Sequence, residues 1–293
     1  MTFVLAVAFS LQTVSQPFVF RTEVRRVYVD AFVTRDGRPV AGLAADDFEI
    51  FDDGIVQRDV TLVEARDRPL SAVLLVDTSS SVRGRKLERL TRAAHGFMDG
   101  LTAQDEVHLM TFGTRYRVRE THAIDSMTSA GATTLWDSLY AATILAEIGV
   151  GRPFVVLFSD GEDNSSWLSS REILRTVETS PAVVYAVRSV SGAGVRLRST
   201  ESREAGFAAT ASVLREEHVL AEVVQAAAGR LVDLESAEAL PETFAQILSE
   251  MRSRYLLTYE PAEGAPEGWH VLEVRLKSDA KSEVRARTGY FLR

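Results

Sequence analysis

The chain has 293 residues, enough for about two domains, and its 46% hydrophobic and 25% charged content is that of an ordinary globular protein, which excludes wholesale disorder and collagen-like or low-complexity fibres. A formal net charge of −8 offers no basic footprint for neutralising phosphates, so no nucleic acid is expected as a partner. Cysteine is absent, which removes a disulfide framework, thiolate metal ligation and a cysteine nucleophile together.

Residues 1–16 read as a signal peptide. Met1 to Leu11 is an apolar run followed by polar Gln12, Thr13, Ser15 and Gln16. It falls short of the roughly 20 residues that span a bilayer but suits the hydrophobic part of a secretory signal, so a secreted, periplasmic or cell-envelope protein is expected. The first positive side chain is Arg21, so the alternatives are a start further upstream or an N-terminal strand. No other apolar stretch has spanning length, and no integral membrane span is expected.

From Val27 the residues alternate, with Val27, Val29, Ala31 and Val33 on one face and Tyr28, Asp30, Phe32 and Thr34 on the other, which predicts a strand. Asp36-Gly37 and Asp53-Gly54 are hairpin-turn dipeptides bracketing Phe48 to Phe51. After Asp67-Arg68-Pro69 the texture changes to Ala72-Val73-Leu74-Leu75-Val76, a continuous apolar run typical of a strand buried on both faces. Helical spacing predicts Leu87 to Leu101, then strands Val107 to Phe112 and, at an edge, Tyr116 to Glu120, then a helix from Leu135 to about Ile148. A second apolar strand, Phe154 to Phe158, precedes a helix at Ser170 to Glu178, a strand at Val183 to Val187, a helix near Glu217 to Ala228, a strand at Arg230 to Val232 and a helix from Pro241 to Arg252. This alternation implies an α/β domain with a doubly wound, mostly parallel sheet and helices on both faces. Ser189 to Glu216 has no periodicity and reads as an exposed loop or insertion.

The tail returns to β texture at Tyr255 to Tyr259, Val271 to Leu276 and Val284 to Thr288, before a closing Gly289-Tyr290-Phe291. Three strands in about forty residues cannot bury a core alone. The expected organisation is therefore one discontinuous β-sandwich of residues 17–67 plus 254–293, with an α/β domain at 68–253 inserted in it.

Asp77-Thr78-Ser79-Ser80-Ser81 follows the first buried strand directly. In open α/β sheets ligands bind beyond the carboxyl ends of the strands, so these side chains stand where a site belongs. The second buried strand ends at Ser159-Asp160-Gly161, bringing another carboxylate to that edge, and Gly131-Ala132-Thr133-Thr134 offers a hydroxyl before a helix. Two carboxylates with three hydroxyls make an all-oxygen donor set, suited to Mg2+ or Mn2+ rather than zinc or copper.

These residues resemble the von Willebrand factor A (VWFA) domain family and its metal-ion-dependent adhesion site. The resemblance covers about Pro69 to Arg254, with Asp77, Ser79 and Ser81 in the first loop, Thr133 in the second and Asp160 in the third. It implies that Ser79, Ser81 and Thr133 coordinate directly and that Asp77 and Asp160 hold the ion directly or through water. Ala132 departs from the pattern, which commonly has a second glycine there. The flanks, Val29 to Val40 with Gly42-Leu43 and Asp47-Phe48-Glu49, and Arg287-Thr288-Gly289-Tyr290-Phe291 at the end, resemble a bacterial group called VWFA-related or acidobacterial Ig-like VWFA proteins. That resemblance implies that the sandwich is Ig-like.

Taken alone, Asp77 to Ser81 also reads as a helix N-cap cluster. Glu162 and Asp163 read as loop solubility and capping of the following helix, Trp136 as packing and Asp137 as a first-turn acid favoured by the helix dipole. The five histidines are scattered, and His218 with Glu222, one helical turn apart, reads as a surface pair. No G-x-S-x-G elbow or phosphate-binding G-x-x-x-x-G-K-[ST] loop occurs. The expected function is a non-catalytic adhesion or scaffold module whose ion takes an Asp or Glu carboxylate of a partner protein. A Mg2+-dependent hydrolase at the same site is the alternative, and an intracellular chaperone-like subunit of a larger machine a third reading.

Overall fold

In a computed structural model of the chain the described residues are 26–63, 68–159, 162–189, 218–234, 236–277 and 281–292. The expected signal peptide, most of the stretch after Ser189, and Asp160 lie outside them. Strand β1 (Val27–Arg35) turns through Asp36 and Gly37, at φ of 50° and 73°, into β2 (Arg38–Pro39). β3 (Phe48–Asp52) turns through Asp53 and Gly54, at 48° and 79°, into β4 (Ile55–Val56), and β5 (Thr61–Val63) follows. Positive φ at both central residues is the requirement that Asp-Gly satisfies in a two-residue hairpin.

The apolar runs form the middle of a six-stranded sheet. Its members are β6 (Leu70–Asp77), β7 (Glu106–Phe112), β8 (Tyr116–Arg119), β9 (Arg152–Ser159), β10 (Val183–Ser189) and β11 (Leu231–Leu234), in spatial order β11-β10-β9-β6-β7-β8. Every pairing is parallel except that of β8, which runs antiparallel to β7 at the edge. Helices α1 (Arg85–Asp99), α2 (Leu135–Ile148), α3 (Ser170–Thr179), α4 (218–226) and α5 (Leu240–Arg252) connect the strands. One face packs Leu74 and Val156 against Phe97 of α1 and Phe244 of α5. The other packs Val73 and Leu157 against Leu139 of α2, Ile173 of α3 and Val223 of α4. All eight residues of β6 are buried, as the uninterrupted apolar run requires.

The chain ends pair with each other. β12 (Tyr255–Tyr259) lies between β1 and β5, β13 (Gly268–Leu276) pairs with β3, β14 (Ser282–Arg285) with β1, and β15 (Gly289–Leu292) with β13. Val29, Ala31, Phe48, Ile50, Leu257, Leu272 and Tyr290 from both resulting sheets share one core. The strand expected at Val284 to Thr288 ends earlier, as β14 at Ser282–Arg285, and the closing Gly289-Tyr290-Phe291 belongs to a second strand in the other sheet. Gly289 opens the second, where a Cβ would lie 2.1 Å from the Trp269 ring and 2.6 Å from the His270 carbonyl oxygen. That close approach admits only glycine and decides where the chain leaves one sheet for the other.

The two halves meet on a buried ion cluster. Asp30, which the alternation of β1 places on its polar face, receives Nε and Nη2 of Arg152 at 3.1 and 2.7 Å and Nε of Arg254 at 2.5 Å. Arg254 also donates to the Tyr185 hydroxyl, which donates to Glu250, itself paired with Arg230 and Arg285. Burial alone would raise the Asp30 carboxyl, yet Arg152 and Arg254 hold it below the ordinary carboxylate range. Neutralising Asp30 strands two buried guanidinium groups, so Asp30→Asn is expected to lower unfolding free energy by about 3–5 kcal/mol. In urea denaturation followed by tryptophan fluorescence, Asp36→Asn, at an exposed turn, should stay within about 0.5 kcal/mol of wild type.

Candidate functional site

Asp77 arrives at the carboxyl end of β6 with its side chain buried. Its Oδ1 accepts the Ser79 N–H at 2.7 Å and its Oδ2 the Ser159 hydroxyl at 2.8 Å. The first bond is an Asx turn, which bends the chain just past the strand. The Ser79 and Ser81 hydroxyl oxygens then lie 2.9 Å apart. Thr78 locks the loop to β7 by donating its N–H and its hydroxyl to the Phe112 carbonyl at 2.7 and 2.8 Å. The N-cap reading of this cluster does not hold: α1 starts at Arg85, its N-cap is Gly84, and no side chain caps it.

The second loop is stitched to the first. Ser80 N–H donates to the Gly131 carbonyl at 3.1 Å and Ala130 N–H to the Thr78 carbonyl at 2.8 Å. Gly131 has φ of +86°, and a Cβ there would stand 2.2 Å from the Thr114 hydroxyl, so this contact requires glycine on both counts. Thr133 is buried; its N–H donates to Asn164 Oδ1 at 2.8 Å, and its carbonyl accepts the N–H groups of Asn164 and Ser165, both at 3.1 Å. Asp160 lies outside the described residues, but Ser159 beside it marks the end of β9 next to Asp77.

The described donors Asp77, Ser79, Ser81 and Thr133 offer only oxygen, the ligand chemistry of a hard divalent ion. Two neighbouring oxygens of a Mg2+ octahedron, each about 2.1 Å from the ion, are about 3.0 Å apart, close to the 2.9 Å of the hydrogen bond that the Ser79 and Ser81 hydroxyls share. Both Asp77 oxygens accept hydrogen bonds from within the protein, from the Ser79 N–H and the Ser159 hydroxyl, which fixes the carboxylate in place at the strand end.

Several supporting residues carry no local signal. Asp163 accepts the Leu135 N–H at 2.8 Å and the Ser166 hydroxyl at 2.6 Å, so it caps α2, the helix before it, and not the following one. Asp137 is more than a dipole acid, because its carboxylate accepts the N–H groups of Trp167 and Leu168. The bonds pin a loop whose Trp167 side chain is 96% exposed. His218 and Glu222 form the expected exposed pair.

A second polar cluster lies inside the terminal sheets. The Oδ2 of Asp52 accepts hydroxyls from Tyr259 and Tyr290, both at 2.8 Å, and its Oδ1 faces His270 Nδ1 at 3.1 Å, while Asp53 Oδ2 lies 3.0 Å from the same nitrogen. Asp52, Asp53 and His270 converge closely enough to hold a metal ion. In the present geometry they satisfy one another: Nε2 faces the Pro266 carbonyl at 2.8 Å, which can only accept, and Nδ1 faces the two carboxylates, an arrangement that favours the protonated ring. Desolvation would lower the His270 pKa, but Pro266, Asp52 and Asp53 together raise it above the ordinary histidine value. Burial and the bond to Asp52 push both tyrosines above the usual phenol range.

A cavity of about 450 Å³ opens at the other end of the central sheet, in the seam, between Tyr28, Arg152, Pro181, Leu256 and Arg287. Burial pushes the Arg287 guanidinium down to about 10, and it is held by the carbonyls of Gly289 and Glu178.

The chain resembles solved structures in this arrangement. One is described as von Willebrand factor type A from Catenulispora acidiphila, with a TM-score of 0.51 at 11% identity over 94% of this chain and 76% of that one. Others are the SpRpn10 VWA domain, at 0.41 and 13% over 58% of this chain and 91% of that one, and the vWF domain of the type V pili tip protein Mfa5 from Porphyromonas gingivalis, at 0.31 and 17% over 33% and 39%. The fold likeness rests on the first: the chain has the mixed α/β fold of a von Willebrand factor A protein. No protein-family model matches the sequence, and no curated protein does. No helix among the described residues is long and apolar enough to cross a membrane.

Because the folded-state pKa of His270 lies above its unfolded value of about 6.5, its contribution to stability is complete below that pH and is lost as pH rises through the folded pKa. The urea midpoint should therefore fall with rising pH above about 6.5. His270→Gln, which cannot titrate, should flatten that slope.

Proposed function

We propose that the chain is a non-catalytic, divalent-metal-dependent protein-binding module of the adhesion or scaffold kind. Asp77, Ser79, Ser81, Thr133 and Asp160 hold Mg2+ or Mn2+, and the bound ion supplies a positive centre that accepts an Asp or Glu carboxylate of a partner protein. The observation that carries the reading is the pair of serine hydroxyls 2.9 Å apart beside a buried carboxylate, at the sheet end where ligands of open α/β sheets bind.

The chain's own residues prepare that place. Asp77 orients Ser79 through its backbone N–H and draws Ser159 of β9 against β6. Thr78 and Ser80 fix the first loop to the ends of β7 and the second loop, so the hydroxyls are positioned before any ligand arrives. Asp77, Asp137 and Asp163 are engaged by backbone and hydroxyl donors, which makes them holders of loops and favours binding over proton transfer. Trp167, exposed on the loop that grips Thr133, is a residue type that anchors protein interfaces. In this reading residues 17–67 and 254–293 form an Ig-like sandwich that presents the VWFA domain of 68–253 outside the cell.

Saturation at about 100 times Kd should add roughly 2.7 kcal/mol of stability. Mg2+ or Mn2+ is therefore expected to raise the thermal midpoint of the wild type, EDTA to reverse the gain, and Asp77→Ala or Ser79→Ala with Ser81→Ala to abolish it. A midpoint that ignores millimolar Mg2+ and Mn2+ in the wild-type protein sinks the proposal. Capture of a binding partner from the native envelope should likewise require Mg2+ and fail in EDTA.

A further inference from the structure

Beside the candidate metal loops is a cleft of about 370 Å³ whose lining carries three guanidinium groups and, among the described residues, no carboxylate. Arg115, Arg117 and Arg119 recur every second residue along and just before β8, the last strand of the central sheet, and all three line this cleft. Arg119 is steadied by donating from Nε to the Thr111 hydroxyl at 3.0 Å. No carboxylate among the described residues pairs with any of the three. In a chain of net charge −8 whose other arginines are repeatedly matched with acids, as Arg152, Arg188, Arg230 and Arg254 are, this is a local reversal of sign.

The cleft is continuous with the metal loops. Its floor includes Thr78 and Gly131, which are bonded through Ala130 and Ser80 into the turn that carries Ser79 and Ser81. A concave surface with three cations, threonine hydroxyls and no acid attracts anions and holds them by charge-assisted hydrogen bonds. A single carboxylate on an ion would leave these groups unmatched, whereas a run of acids would meet both features at once.

We propose that this cleft is a second recognition element, which selects partner proteins whose metal-bound carboxylate lies within an acidic segment. Further Asp or Glu side chains of that segment pair with Arg115, Arg117 and Arg119. The proposal rests on the metal-dependent reading above for the first carboxylate and on the cleft alone for the others.

Calorimetry can test it with two synthetic probes, a hexa-aspartate peptide and a peptide with one aspartate among glycines, titrated into the full chain in Mg2+ and in EDTA. The proposal expects the hexa-aspartate peptide to bind at least tenfold more tightly than the single-aspartate peptide. Arg115→Ser with Arg117→Ser, at exposed positions, should erase that advantage while leaving the single-aspartate peptide and the thermal midpoint unchanged. Equal affinity of the two peptides, undetected binding of hexa-aspartate, or an advantage that survives the double substitution each overturns the proposal. If the arginine-dependent advantage is present but the single-aspartate peptide binds equally in Mg2+ and in EDTA, the cleft stands and the metal-dependent reading fails. If a sulfated oligosaccharide displaces hexa-aspartate at lower concentration without Mg2+, the cleft belongs to a polyanionic glycan and the acidic-segment proposal is overturned.

Discussion

Covering both faces of the central sheet is the constraint from which the rest of the molecule follows. With α1 and α5 on one side and α2, α3 and α4 on the other, β6 and β9 have no face left for a polar group, so chemistry is displaced to the two ends of the strands. At the carboxyl end stand Asp77, Ser79, Ser81 and Thr133, with the arginine cleft beside them. At the other end Arg152, the first residue of β9, turns into the seam and meets Asp30. The candidate site and the joint between the chain's two halves are opposite ends of the same buried strands.

Three buried aspartates show how differently one charge is accommodated. Asp30 is held by two guanidinium groups, Asp52 by two tyrosine hydroxyls and the His270 ring, and Asp77 is bonded to a backbone N–H and a serine hydroxyl. A buried carboxylate is costly unless its hydrogen bonds are made, so each of these clusters fixes the elements that meet there. The partners at Asp30 are guanidinium groups of opposite charge and form a structural joint between the two halves. The described partners of Asp77 are a backbone N–H and a serine hydroxyl, which hold it at the edge of the loops.

Much of the α/β arrangement was legible because the apolar runs at Ala72 to Val76 and Phe154 to Phe158 can be satisfied only by burial on both faces. Asp-Gly at 36–37 and 53–54 was equally legible, since its backbone preference is local. Asp30 and His270 were not. On sequence Asp30 was one of the residues on the second face of a strand, with Tyr28, Phe32 and Thr34, and His270 was one of five scattered histidines, although the alternation of β13 put it on the inward face with Leu272 and Val274. Asp163 was assigned to the wrong helix because capping rules read forward along the chain, while its actual partner, Leu135, lies 28 residues earlier.

The sequence by itself therefore determined what depends on neighbours in the chain: strand and helix periods, the turn dipeptides, and the run of oxygen donors from Asp77 to Ser81 after a buried strand. Tertiary structure decided what depends on residues far apart: the pairing of β1 with β12 and of β3 with β13, the two arginines on Asp30, and the split of the final segment at Gly289. It also decided the meeting of the Thr78 and Gly131 loops beside the arginine cleft. The physical reason is range. Backbone preference and hydrophobic period act over a few residues, whereas the partner of a buried charge is whichever opposite group the folded chain brings within 3 Å, and no local pattern names it.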